Sequence, residues 1–275
     1  MGTLYVVATP IGNLEDVTLR ALRVLAGASL IAAEDTRTTR KLLSHHGVPA
    51  PRLVSYTDRN RKGRTPAVLA ALAEGDVALV SEAGMPAISD PGSHLVEAAV
   101  AAGYAVVPVP GASAVTSALA VSGLPTRRFH YVGFLPRAAG QRRRLLREIA
   151  GLDATLLMFE APHRLRDALA DVETVLGDRR IAVCRELTKL HEEVYRGTVA
   201  EAREHFQEPR GEFTLVVEGT TDGKPKQEAA IDIDSELRAL KARGQRPRDA
   251  VADVTRRSGV ARREVYRRWL ALGDE

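Results

Sequence analysis

Short apolar runs rich in valine, isoleucine and leucine recur along the chain. They are separated by segments whose apolar residues return every three or four positions. The first pattern marks buried strands and the second amphipathic helices. Strands are predicted at Leu4–Ala8, Leu30–Ala33, Ala78–Ser81, Ala105–Val109, Tyr131–Phe134, Thr155–Phe159, Ile181–Arg185 and Thr214–Glu218. Helices are predicted at Leu19–Ala26, Pro66–Ala73, His94–Ala102, Ala114–Val121, Gln141–Ala150, Leu165–Leu176 and Val199–His205. Alternation of this kind builds βαβ units around a mostly parallel sheet.

The rhythm changes twice. A small-residue helix over Gly111–Gly123 ends at Gly123-Leu124-Pro125, and the strands beyond it interleave less regularly, with Glu192–Gly197 reading as half of a hairpin. Two α/β lobes are therefore expected, residues 1–113 and 114–220. Thr220–Ser235 is polar, with Gly223 and Pro225, and predicts a linker over 221–235. Residues 236–275 then carry only short helices, Ser235–Arg243, Arg248–Arg256 and Arg262–Leu272. A turn at Ser258-Gly259-Val260 gives them a helix-turn-helix-like pattern.

Charge sharpens this division. From Lys224 onward there are 13 Lys/Arg and 9 Asp/Glu, so the net +4 of the 275-residue chain sits entirely in that tail. Such asymmetry suggests an acidic polymer as partner. Aromatic residues make up 4% of the chain, so phosphate and shape contacts are expected to outweigh base stacking. Cys184 is the single cysteine and no apolar run reaches the ~18 residues of a membrane span. With no basic and apolar leader after Met1, a cytoplasmic protein is expected.

The chemistry is concentrated in loops that follow predicted strands. These are Ala8-Thr9-Pro10-Ile11-Gly12-Asn13, Ser81-Glu82-Ala83-Gly84-Met85-Pro86 with Ser89-Asp90-Pro91-Gly92, and Pro108-Val109-Pro110-Gly111-Ala112-Ser113. In open α/β sheets, ligands bind beyond the carboxyl ends of strands, where glycine permits close backbone approach. The G-x-G-x-x-G and P-loop fingerprints are absent, as are the nucleophile elbow and any metal framework. What remains is a crevice suited to a neutral or cationic ligand that carries a carboxylate; each loop taken alone also reads as a tight βα turn.

Mixed charges follow other strands. Glu34-Asp35-Thr36-Arg37 leads into Arg40 and Lys41, which reads either as a helix N-cap or as a phosphate-facing loop. Glu160-Ala161-Pro162-His163-Arg164 and Arg185-Glu186-Leu187-Thr188-Lys189 close two further strands. Arg137 precedes the arginine-rich helix of Arg142, Arg143, Arg144 and Arg147, whose alternative reading is a solvated amphipathic surface. In the tail, Val265, Trp269 and Leu272 share one face and Arg263, Arg267 and Arg268 largely another.

These motifs, in this order, together with Gly133-Phe134-Leu135-Pro136, resemble the tetrapyrrole methylase superfamily, in the branch that methylates ribosomal RNA. The resemblance covers roughly residues 3–220, and a basic C-terminal extension is also found in that branch. It implies a two-lobed class III methyltransferase fold with a small helical extension, usually a homodimer, and S-adenosylmethionine bound between the lobes. It implies 2'-O-methylation of a cytidine ribose in the decoding region of 16S ribosomal RNA, free or in the assembled small subunit. The family's cofactor contacts fall on Pro10, Ile11 and Gly12, on Glu82, Ala83, Gly84 and Met85, and on Ser113 and Ala114. Further contacts fall on Met158 and Phe159 and on Gly211, Phe213 and Thr214. Glu82 stands where the family usually has aspartate, and Met85 where a small hydroxylated residue is common.

Methyl transfer to a hydroxyl calls for positioning and a proton acceptor. Asp35, Glu82, Glu160 and Glu186 are candidates, and Lys189 either as a base that has lost its proton or as a group that orients the ribose or holds a phosphate; Asp35 and Lys189 are favoured. RNA contacts are expected from Arg37, Arg40, Lys41, Arg137, Arg142, Arg143, Arg164, Arg263 and Arg267. A tetrapyrrole methylase and a non-catalytic RNA-binding assembly factor are the competing readings.

Overall fold

The computed structural model describes residues 2–49, 51–220, 233–258 and 262–272. They fall into two compact units, Met1–Thr221 and Asp222–Glu275. Among the described residues no helix is long and apolar enough to cross a membrane.

The first half of unit 1 runs β1 (Thr3–Val7), α1 (Leu19–Gly27), β2 (Leu30–Ala33), α2 (Thr36–His45), β3 (Arg52–Ser55), α3 (Arg61–Glu74), β4 (Val77–Val80), α4 (Ser93–Ala101) and β5 (Ala105–Val109). Its strands form one all-parallel sheet in the order β3-β2-β4-β1-β5. Strands β2 and β4 are buried along their whole length, which explains their uninterrupted apolar sequence. Strand order reverses around β1, so the loops after β1 and β4 flank a crevice at the carboxyl edge.

The second half runs α5 (Ala114–Val121), β6 (Phe129–Phe134), α6 (Ala139–Ile149), β7 (Thr155–Glu160), α7 (Leu165–Leu176), β8 (Arg180–Arg185), β9 (Glu193–Thr198), α8 (Val199–His205) and β10 (Phe213–Val217). Its sheet has the order β6-β7-β10-β8-β9, and only β6 and β7 are parallel. The mostly parallel pairing expected from the alternation thus holds in the first sheet only, while the antiparallel β8–β9 pair contains the hairpin strand expected at Glu192–Gly197. Strand β10 enters between β7 and β8 and runs against both, so alternating helices and strands do not produce a second βαβ sheet here. Side chains alternate across it: Met158, Val183 and Leu215 face the core with α6 to α8, while Leu157, Cys184 and Val216 face α5.

Unit 2 contains α9 (Ile233–Ala242), α10 (Pro247–Ser258) and α11 (Arg262–Ala271). Helix α9 starts inside the segment expected as linker; residues 221–232 and the Gly259-Val260 turn lie outside the described residues. Leu237, Val254, Val265 and Trp269 form its core, and Lys241 lies over the Trp269 ring at 5.9 Å. The expected apolar face of α11 is therefore its packing face.

Candidate active site between the two sheets

The loops singled out in sequence meet in a cleft of about 620 Å³. Its walls come from both sheets: Pro10, Ile11 and Gly12 after β1, Glu82 to Met85 after β4, and Ser113 and Ala114 at the start of α5. Phe134, Phe159, Glu160, Leu187, Lys189 and Thr214 come from the second sheet. The first two loops are knitted together: Thr9 and Gly84 exchange backbone hydrogen bonds of 2.9 and 3.0 Å. The Ser81 hydroxyl donates to the Ala83 carbonyl at 3.2 Å. Two hydrogen bonds link the walls of the cleft. Thr188 Oγ1 accepts from the Asn13 N–H at 3.0 Å, and Ser89 Oγ and Tyr131 OH lie 2.6 Å apart.

Gly12 shows why the first loop needs glycine. A Cβ there would lie 2.5 Å from Lys189 Cγ, 2.7 Å from Thr188 Oγ1 and 3.0 Å from the Leu187 carbonyl. Any side chain would wedge the two loops apart. Ser113 caps α5 without a side-chain hydrogen bond, which leaves the first-turn N–H groups of that helix turned toward the cleft.

Of the two favoured residues, the geometry disfavours Asp35 as a base and leaves Lys189 the role of a cation. Asp35 is the N-cap of α2, accepting from Arg37 N–H at 2.7 Å and from Arg37 Nη2 at 2.8 Å. The Arg37 side chain, then its backbone N–H and that of Thr38, hold the carboxyl down at about 2. Asp35 does not line the cleft and is a poor proton acceptor. Lys189 does line it, but its Nζ donates to Glu186 Oε1 and Glu212 Oε2, each at 3.0 Å. Burial works against its charge, yet the hydrogen bonds and charges of Glu212 and Glu186 outweigh burial and raise its pKa. It is a cation, not a neutral amine. The Cys184 thiol on the cleft wall is pushed by burial to about 11 and stays protonated.

Not every residue expected at the site presents its side chain to the cleft. The Met158 and Phe213 side chains are buried in the core on the other face of the second sheet, and Gly211 abuts the Glu186 side chain rather than the cleft. Arg142 is 4% exposed and donates through Nε to Asp171 Oδ2 at 2.7 Å, so it holds α6 to α7 and cannot meet a phosphate backbone. Arg143 is half-exposed but tied to Asp171 Oδ1 at 2.5 Å. Arg164 is largely enclosed, paired with Glu160 at 3.1 Å and donating to the Leu135 carbonyl. Arg37, Arg40 and Arg137 are exposed, and Lys41 lines the cleft. In unit 2, Arg263 and Arg267 are exposed, Arg267 pairing with Glu264.

Residues 3–203 match the family model for tetrapyrrole (corrin/porphyrin) methylases. The chain is 48% identical over 271 residues to ribosomal RNA small subunit methyltransferase I of Halalkalibacterium halodurans, covering 96% of this chain and 93% of that one. It is 46% identical to the protein of the same name from Synechocystis sp., over 99% of both chains. The chain belongs to the ribosomal RNA small subunit methyltransferase I family of tetrapyrrole methylases. The fold is shared more widely. Uroporphyrin-III C-methyltransferase from Thermus thermophilus, solved in complex with S-adenyl homocysteine, superposes with a TM-score of 0.54 at 20% identity, covering 79% of this chain and 97% of that one.

Sequence reasoning missed several residues that face the cleft in this family member. Glu34 accepts the Glu82 N–H at 3.1 Å; burial, opposed by that bond, raises its carboxyl. Asp90, Glu212 and Leu187 also line the cleft. Asp90 and Leu187 lay within motifs already singled out; Glu212 lay inside an expected cofactor segment. No local signal marked any of them individually.

Proposed function

We propose that the chain is an S-adenosylmethionine-dependent methyltransferase that methylates a cytidine 2'-hydroxyl in the decoding region of 16S ribosomal RNA. The observation that carries this reading is the cleft. It gathers the family's loops from both sheets at the carboxyl edge of the first, in a chain closely similar to small-subunit RNA methyltransferases. The residues fit the cofactor. Free N–H groups at the start of α5 suit a carboxylate, while Ile11, Leu187 and Phe159 offer apolar walls. The carboxylates Glu34 and Glu82 suit a cationic centre. When bound, S-adenosylmethionine supplies an electrophilic methyl group on a sulfonium.

This chain's residues do the rest. The loops from Pro10 to Gly12 and from Glu82 to Met85 hold one reactant, and the bridges Asn13–Thr188 and Ser89–Tyr131 fix the spacing of the two walls. Such positioning supplies much of the rate of a two-reactant displacement. Charged Lys189 orients a phosphate or ribose oxygen, with Lys41 on the opposite wall. Arg37, Arg40 and Arg137 extend this basic surface on unit 1, and Arg263 and Arg267 supply a second on unit 2. The working form is a homodimer, which sedimentation at micromolar concentration tests.

The deciding assay offers labelled cofactor to small ribosomal subunits, free 16S RNA and a tetrapyrrole. Label in a cytidine 2'-hydroxyl of 16S RNA supports the proposal. Label in the macrocycle overturns it, as does the absence of both label and cofactor binding.

A further inference from the structure

Five carboxylates line the cleft: Glu34, Glu82, Asp90, Glu160 and Glu212. Glu34 accepts the Glu82 N–H, Glu160 accepts the Ala161 N–H at 2.8 Å and pairs with Arg164, and Glu212 pairs with Lys189. Glu82 is exposed. Asp90 is half-buried and differs from the rest. Like Glu34 and Glu82 it pairs with no cation among the described residues, but it is more enclosed than Glu82 and its hydrogen-bond partner is the Ser81 hydroxyl rather than a backbone N–H.

The backbone around Asp90 is held in an uncommon conformation. Ala87 and Ser89 have φ of 70° and 64°, in the left-handed region. Non-glycine residues stay there only where their surroundings over-determine them, and such sites cluster where function requires. Here the surroundings come from both sheets. Ser89 is bonded to Tyr131 across the cleft. Gly92, at φ 138°, packs so closely on Leu79 that an added Cβ would lie 2.8 Å from its Cδ2. The turn therefore fixes a carboxylate with no cationic partner among the first-sheet loops, on the cleft wall.

We propose that Asp90 is the catalytic base, taking the proton of the acceptor ribose hydroxyl. This rests on the methyltransferase reading above. As the ribose oxygen bonds to the methyl carbon, the carbon–sulfur bond breaks and its electron pair goes to sulfur. The hydroxyl proton passes to the Asp90 carboxylate and from there to water.

The electrostatics suit that role. Burial, then the charge of Glu34, push the Asp90 carboxyl up to about 7; Glu82 adds a little and the Ser81 hydroxyl opposes. Tyr131 of β6, bonded to the neighbouring Ser89, is itself raised by burial, with the Ser89 bond opposing and the Asp90 charge adding to the rise. A base works best when its pKa lies near the working pH. Asp35, at about 2, is far from it.

Three readouts test the proposal. In ligand-free protein with carbon-13-labelled aspartate carboxyls, one resonance that is missing from D90N should titrate near 7. In D90N, cofactor affinity by calorimetry should stay within about threefold of wild type while kcat on small subunits falls roughly 100- to 10,000-fold. In wild type and D90E, kcat/KM for the cofactor should fall with unit slope on the acid side; D90N should lack that limb. The proposal is overturned if D90N keeps turnover within about tenfold of wild type, if the acid limb persists in it, or if turnover and cofactor affinity fall together. A wild-type protein that methylates no RNA contradicts the methyltransferase reading itself, and this proposal with it.

Discussion

Replacing Asp171 by asparagine tests the reassignment of Arg142 from an RNA contact to a structural tie. Asp171 on α7 is 3% exposed and Arg142 on α6 is 4% exposed. Arg142 Nε and Nη2 reach Asp171 Oδ2 at 2.7 and 2.5 Å, and Arg143 Nε reaches Oδ1 at 2.5 Å. The asparagine side chain keeps the volume but removes the charge, leaving the Arg142 guanidinium buried without its counter-ion. Breaking a buried pair in this way costs about 3–5 kcal/mol. In a unit of this size each kcal/mol moves the melting temperature by about 2–4 °C, so D171N should melt roughly 6–20 °C below wild type. Replacing both partners by apolar residues, as in R142M/D171L, removes the stranded charge and should recover most of that loss. Urea unfolding of the wild type and three variants (R142M, D171N and R142M/D171L) gives the comparison, with RNA affinity measured at fixed salt alongside. The reasoning is refuted if D171N costs under about 1 kcal/mol. It is refuted equally if the double variant folds normally yet binds RNA more than tenfold weaker, because Arg142 would then face the nucleic acid.

Lys189→Arg should keep most of the methyl transfer and Lys189→Met should lose at least about tenfold, because the residue acts as a cation; equal loss in both would point to a neutral amine. Gly12→Ala should weaken cofactor binding at least about tenfold by forcing a Cβ against Thr188 Oγ1 and the Leu187 carbonyl, and unchanged affinity by calorimetry would show that the loops separate freely. Asp35→Ala should destabilise the protein in a pH-dependent way. The folded carboxyl sits near 2, below its usual 3.8, so its contribution is full above about pH 4 and is lost as pH falls toward 2. Melting temperatures of the two proteins should converge over that range; a gap that is constant with pH would contradict this.

The centre of the first sheet was legible because β2 and β4 are buried along their whole length and so read as unbroken apolar runs, as at Leu30–Ala33. Strand β3 was missed because Arg52-Leu53-Val54-Ser55 is a short, partly exposed edge with no such run. The direction of β10 was not legible: its apolar residues mark a buried strand whichever way it runs, and only pairing with both β7 and β8 fixes it. The cleft loops stood out locally through their glycine and proline pattern, whereas the state of their charges did not. Whether Asp35 caps or catalyses depends on where Arg37 folds back. Arg142 looked solvent-facing because its partner, Asp171, lies on another helix. The environment of Asp90 comes from Glu34 and Tyr131, both distant in sequence.

The most direct test of the central claim is to identify the nucleoside made when the protein methylates small ribosomal subunits. After labelled methyl transfer, complete nuclease digestion and mass spectrometry would separate ribose from base methylation. The account predicts 2'-O-methylcytidine from the decoding region of 16S RNA. Label on a base, on another nucleoside, or on no RNA at all would contradict it.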